Sequence, residues 1–96
     1  MEIKFGDRLR AARGMAGLNV RELEGLSGVT ALGSFESGAR ERPSVSTLER
    51  LAEVLGCRAG WLLDGSGDPP TIEEVRAAVA SVREKTGVLV VEGRPE

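Results

Sequence analysis

Apolar residues recur at helical spacing along most of this 96-residue chain. Phe5, Leu9 and Ala12 lie at positions i, i+4 and i+7 with arginines between them, which predicts an amphipathic helix from Phe5 to about Ala16. A later segment shows a stronger stripe of the same kind, at Leu48, Leu51, Ala52 and Leu55. Both segments are therefore expected to bury one face in a common core.

Capping residues indicate where the next helices begin. Asn19 is followed three residues later by Glu22, which is a capping box and predicts a second helix starting near Val20. Thr30 is suited to cap a short helix over 30–37, and Ser44 to cap the helix that carries the leucine stripe. The first half of the chain therefore predicts four helices.

Glycines follow the predicted helix ends, as expected for left-handed C-terminal positions, at Gly17, Gly28, Gly38 and Gly56. A further helical turn around 59–63 supplies Trp61 and Leu62 to the core, and the Gly- and Pro-rich stretch 64–70 is the clearest linker. Five short helices joined by tight turns within about 60 residues predict a compact all-α unit.

The segment after the linker carries a separate apolar pattern. Thr71 and Glu74 form another capping box, which predicts a helix from Ile72 to about Thr86. Its β-branched residues are spaced 3, 4 and 3 apart, as in the a/d seam of a coiled coil: Ile72, Val75, Val79 and Val82. We expect a dimerisation helix here, and the alternative is a helix folded back on the same chain's core.

A run of β-forming residues, Val88 to Val91, follows that helix. A lone four-residue strand cannot satisfy its own backbone, so it is expected to pair with residues 2–5 or with the same segment of a second chain. Val88 and Val90 are therefore expected to contribute to dimerisation. Two-fold homodimers are the commonest assembly, which favours a homodimer here.

The composition narrows the classes of function. The chain has no His and one Cys, which excludes His general bases, Cys–His pairs, zinc-finger ligand sets and an intrachain disulfide. We therefore expect no enzyme, no cofactor and no metal site. The single thiol suits a reducing cytoplasm, and the longest apolar run has four residues, so a cytoplasmic protein with no membrane segment is expected.

Charge is unevenly distributed along the chain. Residues 1–60 hold nine basic and eight acidic residues, whereas residues 61–96 hold four basic and seven acidic ones. The net charge of −2 counts against strong non-specific binding to nucleic acid, because the overall field does not attract phosphates. Any DNA contact would have to rely on basic side chains gathered on one face.

An ordered series of motifs covers about 60 of the 96 residues. It runs from Phe5-Gly6-Asp7-Arg8-Leu9-Arg10 through Gly17-Leu18-Asn19, Phe35-Glu36-Ser37-Gly38 and Pro43-Ser44 to Leu51-Ala52-Glu53-Val54-Leu55-Gly56 and Trp61-Leu62-Leu63-Asp64-Gly65. In these motifs, residues 5–65 resemble the phage-repressor-like helix-turn-helix family, of the Cro/C1 or xenobiotic-response-element type. The resemblance implies a five-helix lambda-repressor-like DNA-binding domain, followed here by the C-terminal helix and a short β-strand.

The family resemblance implies that the second helix of the motif, here about 30–37, enters the major groove of DNA. The chain departs from the family pattern at this helix. The stretch between Gly28 and Glu36 is two residues shorter than usual, and Glu24 occupies the place of a small buried alanine. Residues 30–37 also contain no Arg, Lys, Asn or Gln, the side chains that make bidentate contacts to purines.

The resemblance implies two sets of DNA-binding residues. The first would hold phosphates through a helix N-terminus and flanking charges: Asn19, Arg21, Arg40 and Arg42. The second set would face the bases with small side chains: Thr30, Ala31, Gly33 and Ser34.

Two hypotheses for the function follow from the sequence. In the first, the chain is a homodimeric transcriptional regulator, a repressor or autoregulator, which binds double-stranded DNA through residues 1–66 and dimerises through 71–96 beyond a 67–70 linker. In the second, the helix-turn-helix has lost base readout and binds a second regulatory protein. The shortened stretch, Glu24 and the acidic balance favour the second hypothesis.

Overall fold

The fold of residues 3–86 is described by a computed structural model. These residues form six α-helices and no strand: α1 (Phe5–Ala16), α2 (Val20–Ser27), α3 (Leu32–Glu36), α4 (Val45–Leu55), α5 (Ala59–Asp64) and α6 (Ile72–Thr86). The all-helical prediction is confirmed for this part of the chain. The strand predicted at Val88–Val91 lies outside the described residues.

The predicted capping boxes are present as hydrogen-bonded pairs. The Glu22 amide donates to Asn19 Oδ1 at 2.8 Å, and the Asn19 amide donates to Glu22 Oε1 at 2.9 Å. Thr71 and Glu74 exchange the same two bonds at 3.1 and 2.9 Å at the start of α6. These pairs satisfy backbone donors that have no acceptor within their own helix.

The start of α3 differs from the prediction. The helix begins at Leu32 rather than at Thr30, and Ala31 occupies the N-cap position with a left-handed φ of 60°. The prediction that Thr30 caps this helix is therefore wrong. The shortened turn after α2 places Ala31, not Thr30, at the entry to α3, and an alanine side chain cannot accept a capping hydrogen bond.

All six helices contribute to the core, which is built mainly from leucine. Phe5 and Phe35 pack edge to face with ring centroids 5.3 Å apart. Glycine is required at Gly6 because a Cβ there would overlap the carbonyl oxygen of Phe35. This close approach holds α3 against α1. The largest fully buried side chains are Leu9, Leu23, Leu32, Leu51, Leu55, Leu62 and Val75.

Helix α6 packs on α1 and α4 of its own chain. Val75 is 0% exposed and Val79 is 3% exposed, and Val82 packs partly buried against the same core. In this structure these valines therefore pack on the core of their own chain, which is the alternative that the sequence left open, and the dimer seam stays a prediction. A spacing of 3, 4 and 3 residues suits packing on a second chain or on the same chain. Here the stripe packs on α1 and α4 of its own chain. Ile72 differs from them, since 49% of its surface is exposed.

Two contacts fix the position of α6 on the core. The Arg76 Nε donates to the carbonyl oxygen of Met15 at the end of α1, at 3.1 Å. Gly56, which ends α4 with a φ of 65°, leaves no room for a Cβ because Ala78 and the Glu74 carbonyl lie too close. The helix that follows the linker is therefore an integral part of the described fold.

Candidate nucleic-acid interface

Helices α2 and α3, with the turn between them, form the surface that the sequence assigns to DNA. Gly28 ends α2 in the left-handed region with a φ of 75°. Beyond it, Val29, Leu32 and Phe35 are buried and anchor the turn and α3 in the core. The opposite side is therefore directed to solvent, and its exposed residues are Thr30, Ala31 and Gly33.

The exposed surface of α3 carries only small side chains. Ser34 is half-buried, and its hydroxyl donates to the carbonyl oxygen of Ala31 at 2.6 Å. A serine hydroxyl that donates locally still has lone pairs that can accept a hydrogen bond. At this surface the protein can thus offer a methyl group, hydroxyl groups and close backbone approach, but no long hydrogen-bonding side chain.

Glu24 occupies the place of a small buried alanine in the family, and its carboxylate finds a hydrogen-bond partner here. Its side chain reaches from α2 to the start of α3, where Oε2 accepts the Leu32 amide hydrogen at 3.0 Å. Glu24 is half-buried rather than fully buried. The carboxylate therefore replaces the missing N-cap of α3 instead of remaining without a partner in the core.

A groove of about 290 Å³ lies between the turn after α2, the Phe35 side of α3 and the start of α4. Three arginines line it, together with the hydroxyl-bearing residues of the first turn of α4 and the loop before it. The lining residues are Gly28, Val29, Thr30, Phe35, Arg40, Arg42, Ser44, Ser46, Thr47 and Arg50.

Two of the three arginines reach the groove from the loop between α3 and α4, and the third reaches it from α4. Arg40 lies over the Phe35 ring, with its guanidinium carbon 5.3 Å from the centroid, and its amide donates to the Ser34 carbonyl at 2.9 Å. Arg50 extends from α4 to the end of α2. Its Nη1 lies 3.2 Å from the point that a Cβ would occupy if one were added to Gly28. Arg42 belongs to the loop between α3 and α4.

These arginines are exposed, and within residues 3–86 none of the three forms an ion pair. Glu36, the acidic residue of α3, forms its ion pair with Arg13 of α1 instead. Ser46 and Thr47 belong to the first turn of α4, where backbone N–H groups have no acceptor within the helix. Guanidinium groups beside a helix N-terminus favour a phosphate or another oxyanion.

The structure brings together three of the eight residues predicted to bind DNA, Thr30, Arg40 and Arg42. The other five do not line the groove. Asn19 and Arg21 are exposed at the start of α2. Ala31, Gly33 and Ser34 belong to the start of α3.

Sequence reasoning missed Arg50, Ser46 and Thr47 as residues of this groove. The feature of the sequence that could have identified them is their position on α4. Ser46 and Arg50 are four residues apart, so they share one face of the helix, away from the stripe of buried leucines. That face begins beside the Ser44 cap, whose Oγ accepts the Thr47 amide hydrogen at 3.2 Å.

Residues 3–86 contain no group of three or more Cys, Asp or Glu side chains placed to hold a metal ion. None of the six helices is long and apolar enough to cross a bilayer.

Comparison with known proteins places this geometry in a family. A helix-turn-helix family model matches residues 9–62, from the middle of α1 to α5. The chain is similar to the HTH-type transcriptional repressor RghR of Bacillus subtilis (strain 168), with 38% identity over 75 residues, which are 76% of this chain. The chain covers 56% of the length of that relative. No solved structure matches.

The family match spans the capped α2, the turn at Gly28, the outward surface of α3 and the arginine-lined groove beside it. The contact that holds α3 against α1 is covered only in part, because Phe35 lies within the matched residues and Gly6 precedes them. The chain belongs to the Cro/C1-type helix-turn-helix family.

Proposed function

We propose that this protein is a DNA-binding transcription regulator that holds the phosphate backbone in the groove between α3 and α4. The observation that carries the proposal is the set of three exposed arginines around the first turn of α4, which form no ion pair with any other residue of 3–86. Membership of the helix-turn-helix family and the similarity to a transcriptional repressor support it. Contacts to phosphates would fix the orientation of α3 on the duplex.

Base recognition would then depend on close approach rather than on bidentate side chains. The Ala31 methyl and the Thr30 side chain are exposed at the start of α3, and both suit contact with the methyl group of thymine. Gly33 adds no side chain, so the backbone can come near the base edges. Discrimination would further rely on the sequence-dependent shape of the duplex, which backbone contacts detect.

The finer part of the proposal is that two copies act together as a repressor or autoregulator. Its support is the repressor relative and the general prevalence of two-fold homodimers, which match palindromic half-sites. Ile72 is the member of the predicted seam that is exposed on α6. Val88 and Val90 remain predicted contributors outside the described residues.

The proposal is tested by selecting duplexes from a random pool and measuring binding by fluorescence anisotropy over a range of salt concentrations. We expect Arg50→Ala to weaken binding to all duplexes and to reduce the slope of log K against log salt by about 0.9, the effect of one lost phosphate contact. Arg58→Ala is the matched control, because Arg58 is exposed but does not line the groove. The proposal fails if no selected duplex binds better than a scrambled one at about 150 mM salt.

A second candidate function is binding to another regulatory protein instead of DNA. The observation that favours it is the exposed surface of α3, which offers no long polar side chain for base contacts. Purification from the native host separates the two. A stoichiometric protein partner without nucleic acid supports this candidate, whereas bound nucleic acid, seen as a raised ratio of absorbance at 260 and 280 nm, supports the first.

A further inference from the structure

The start of α3 is held by a side chain from another helix. Ala31 is at the N-cap, and its methyl group cannot accept the amide hydrogen of the first turn. The Leu32 amide instead donates to Glu24 Oε2 at 3.0 Å, across eight residues of sequence. Leu32 itself is 0% exposed, so its amide would lose a partner in a buried environment without Glu24.

We propose that Glu24 is a positioning residue for the DNA-facing start of α3. Helix α3 has five residues, so one N-terminal hydrogen bond is a large share of what keeps it helical. The local bonds from the Ser34 amide and hydroxyl, at 3.1 and 2.6 Å, go to the Ala31 carbonyl and leave the Leu32 amide to Glu24. Glu24 thereby fixes the left-handed Ala31 and the exposed Gly33 relative to α2.

The charge of Glu24 is not the source of this effect. Within residues 3–86 the carboxylate forms no ion pair, and its hydrogen bond goes to a backbone amide. A negative charge near a duplex repels phosphates, so removal of the charge alone would strengthen binding to DNA. Removal of the cap would weaken specific binding, because the start of α3 would no longer hold one conformation. The two effects have opposite signs and can be separated.

The test compares Glu24→Ala, which removes charge and cap, with Glu24→Gln, which removes the charge but keeps an acceptor oxygen. Glu53→Ala is the matched control, since Glu53 is an exposed carboxylate of α4 without an ion pair in the described chain. Hydrogen exchange of the Leu32 amide is measured by NMR, relative to the Leu51 amide in the core. Anisotropy gives the affinity for a duplex that the wild type selects from a random pool and for a scrambled duplex of the same composition.

We expect Glu24→Ala to speed Leu32 exchange about 5- to 30-fold, the factor that corresponds to a lost N-cap, and to reduce the affinity ratio of selected to scrambled duplex by a similar factor. Glu24→Gln should keep both values, and Glu53→Ala should change neither. If Glu24→Ala does not fold, Glu24→Asp, which keeps the charge but shortens the reach, is expected to show the same losses.

Unchanged Leu32 exchange in Glu24→Ala, or a Glu24→Gln variant that loses as much as Glu24→Ala, overturns the positioning role. The binding part of the inference rests on the proposed function. If the wild type prefers no duplex, the proposed function fails, whereas the exchange of the Leu32 amide still decides whether Glu24 positions α3.

Discussion

Arg13 of α1 and Glu36 at the end of α3 form a bidentate ion pair, with Nε–Oε2 and Nη2–Oε1 distances of 2.7 and 2.8 Å. The side chain of Glu36 is 5% exposed and that of Arg13 is 19% exposed. The hydrogen bond to Glu36 raises the pKa of Arg13. Arg13 also donates to the Leu18 carbonyl at 2.8 Å. One guanidinium of α1 therefore connects this helix both to α3 and to the turn that precedes α2.

We expect Glu36→Ala to lower the free energy of unfolding by about 3 kcal/mol, because Arg13 would stay largely buried without its carboxylate. Urea unfolding measures this change. Arg10→Ala is the control, since its side chain is 64% exposed at 3.6 Å from Glu36 and should contribute less than about 0.5 kcal/mol. Additive losses in an Arg13→Ala, Glu36→Ala double variant would show that the two side chains are not coupled.

Ala31 has a left-handed φ of 60°, a conformation that disfavours every residue with a Cβ. We expect Ala31→Gly to raise the free energy of unfolding by about 1 kcal/mol, because glycine adopts this conformation without strain. Thermal unfolding measures it, as a rise of about 4–8 °C for a domain of this size. Ala11→Gly, at an exposed position inside α1, is the control and should destabilise by about 1 kcal/mol. A loss of stability in Ala31→Gly would contradict the strain.

The sequence predicts those parts of the fold that depend on neighbours along the chain. Asn19 and Glu22 are three residues apart, and their reciprocal bonds are confirmed because a capping box needs nothing beyond that segment. The same holds for Thr71 and Glu74 at α6. The helical stripes of α1 and α4 likewise identify their buried faces.

The features that the sequence did not predict depend on partners far along the chain. Glu24 meets the Leu32 amide across a turn whose shape follows from a shortened segment, and Arg50 reaches Gly28 only after α4 has packed on α2. Val75 and Val79 belong to a stripe whose pattern is equally suited to a second chain and to the core of the same chain. Spacing defines a buried face but not what covers it.

Val79→Asp distinguishes these two uses of α6. Val79 is 3% exposed within its own chain, so we expect the buried carboxylate to lower the free energy of unfolding by about 4 kcal/mol without a change in assembly state. Urea unfolding and sedimentation velocity measure the two quantities. Ala80→Asp, at the exposed adjacent position, should change neither. A folded Val79→Asp variant of normal stability and smaller sedimenting mass would instead support the dimer seam.

Burial raises the pKa of the Cys57 thiol to about 11. At pH 8 we therefore expect iodoacetamide to react roughly a hundredfold more slowly with the native protein than with the urea-unfolded chain, where the ordinary pKa of about 8.5 applies. Mass spectrometry follows the reaction, and Cys57→Ser shows any reaction at other groups. Equal rates in the native and unfolded chains would contradict the burial.

The same pKa shift predicts how stability changes with pH. Because the folded state holds the proton more tightly than the unfolded state, the stabilisation is complete below about pH 8.5 and is lost as the pH rises towards 11. Thermal unfolding at pH 7, 8.5 and 10 measures this loss. Cys57→Ser should lose less stability than the wild type between pH 8.5 and 10, and parallel profiles would argue against the shift.

Arg8 is a buried arginine of α1 whose three guanidinium nitrogens all donate to backbone carbonyls. Nη1 donates to Ile3 at 2.8 Å, while Nε and Nη2 donate to Leu62 and Leu63 at 3.0 and 2.6 Å. A single side chain thus connects the segment before α1 to the last turn of α5. A change in the backbone at Ile3 would therefore also disturb the closing turn of α5, because both segments give carbonyl oxygens to the same guanidinium.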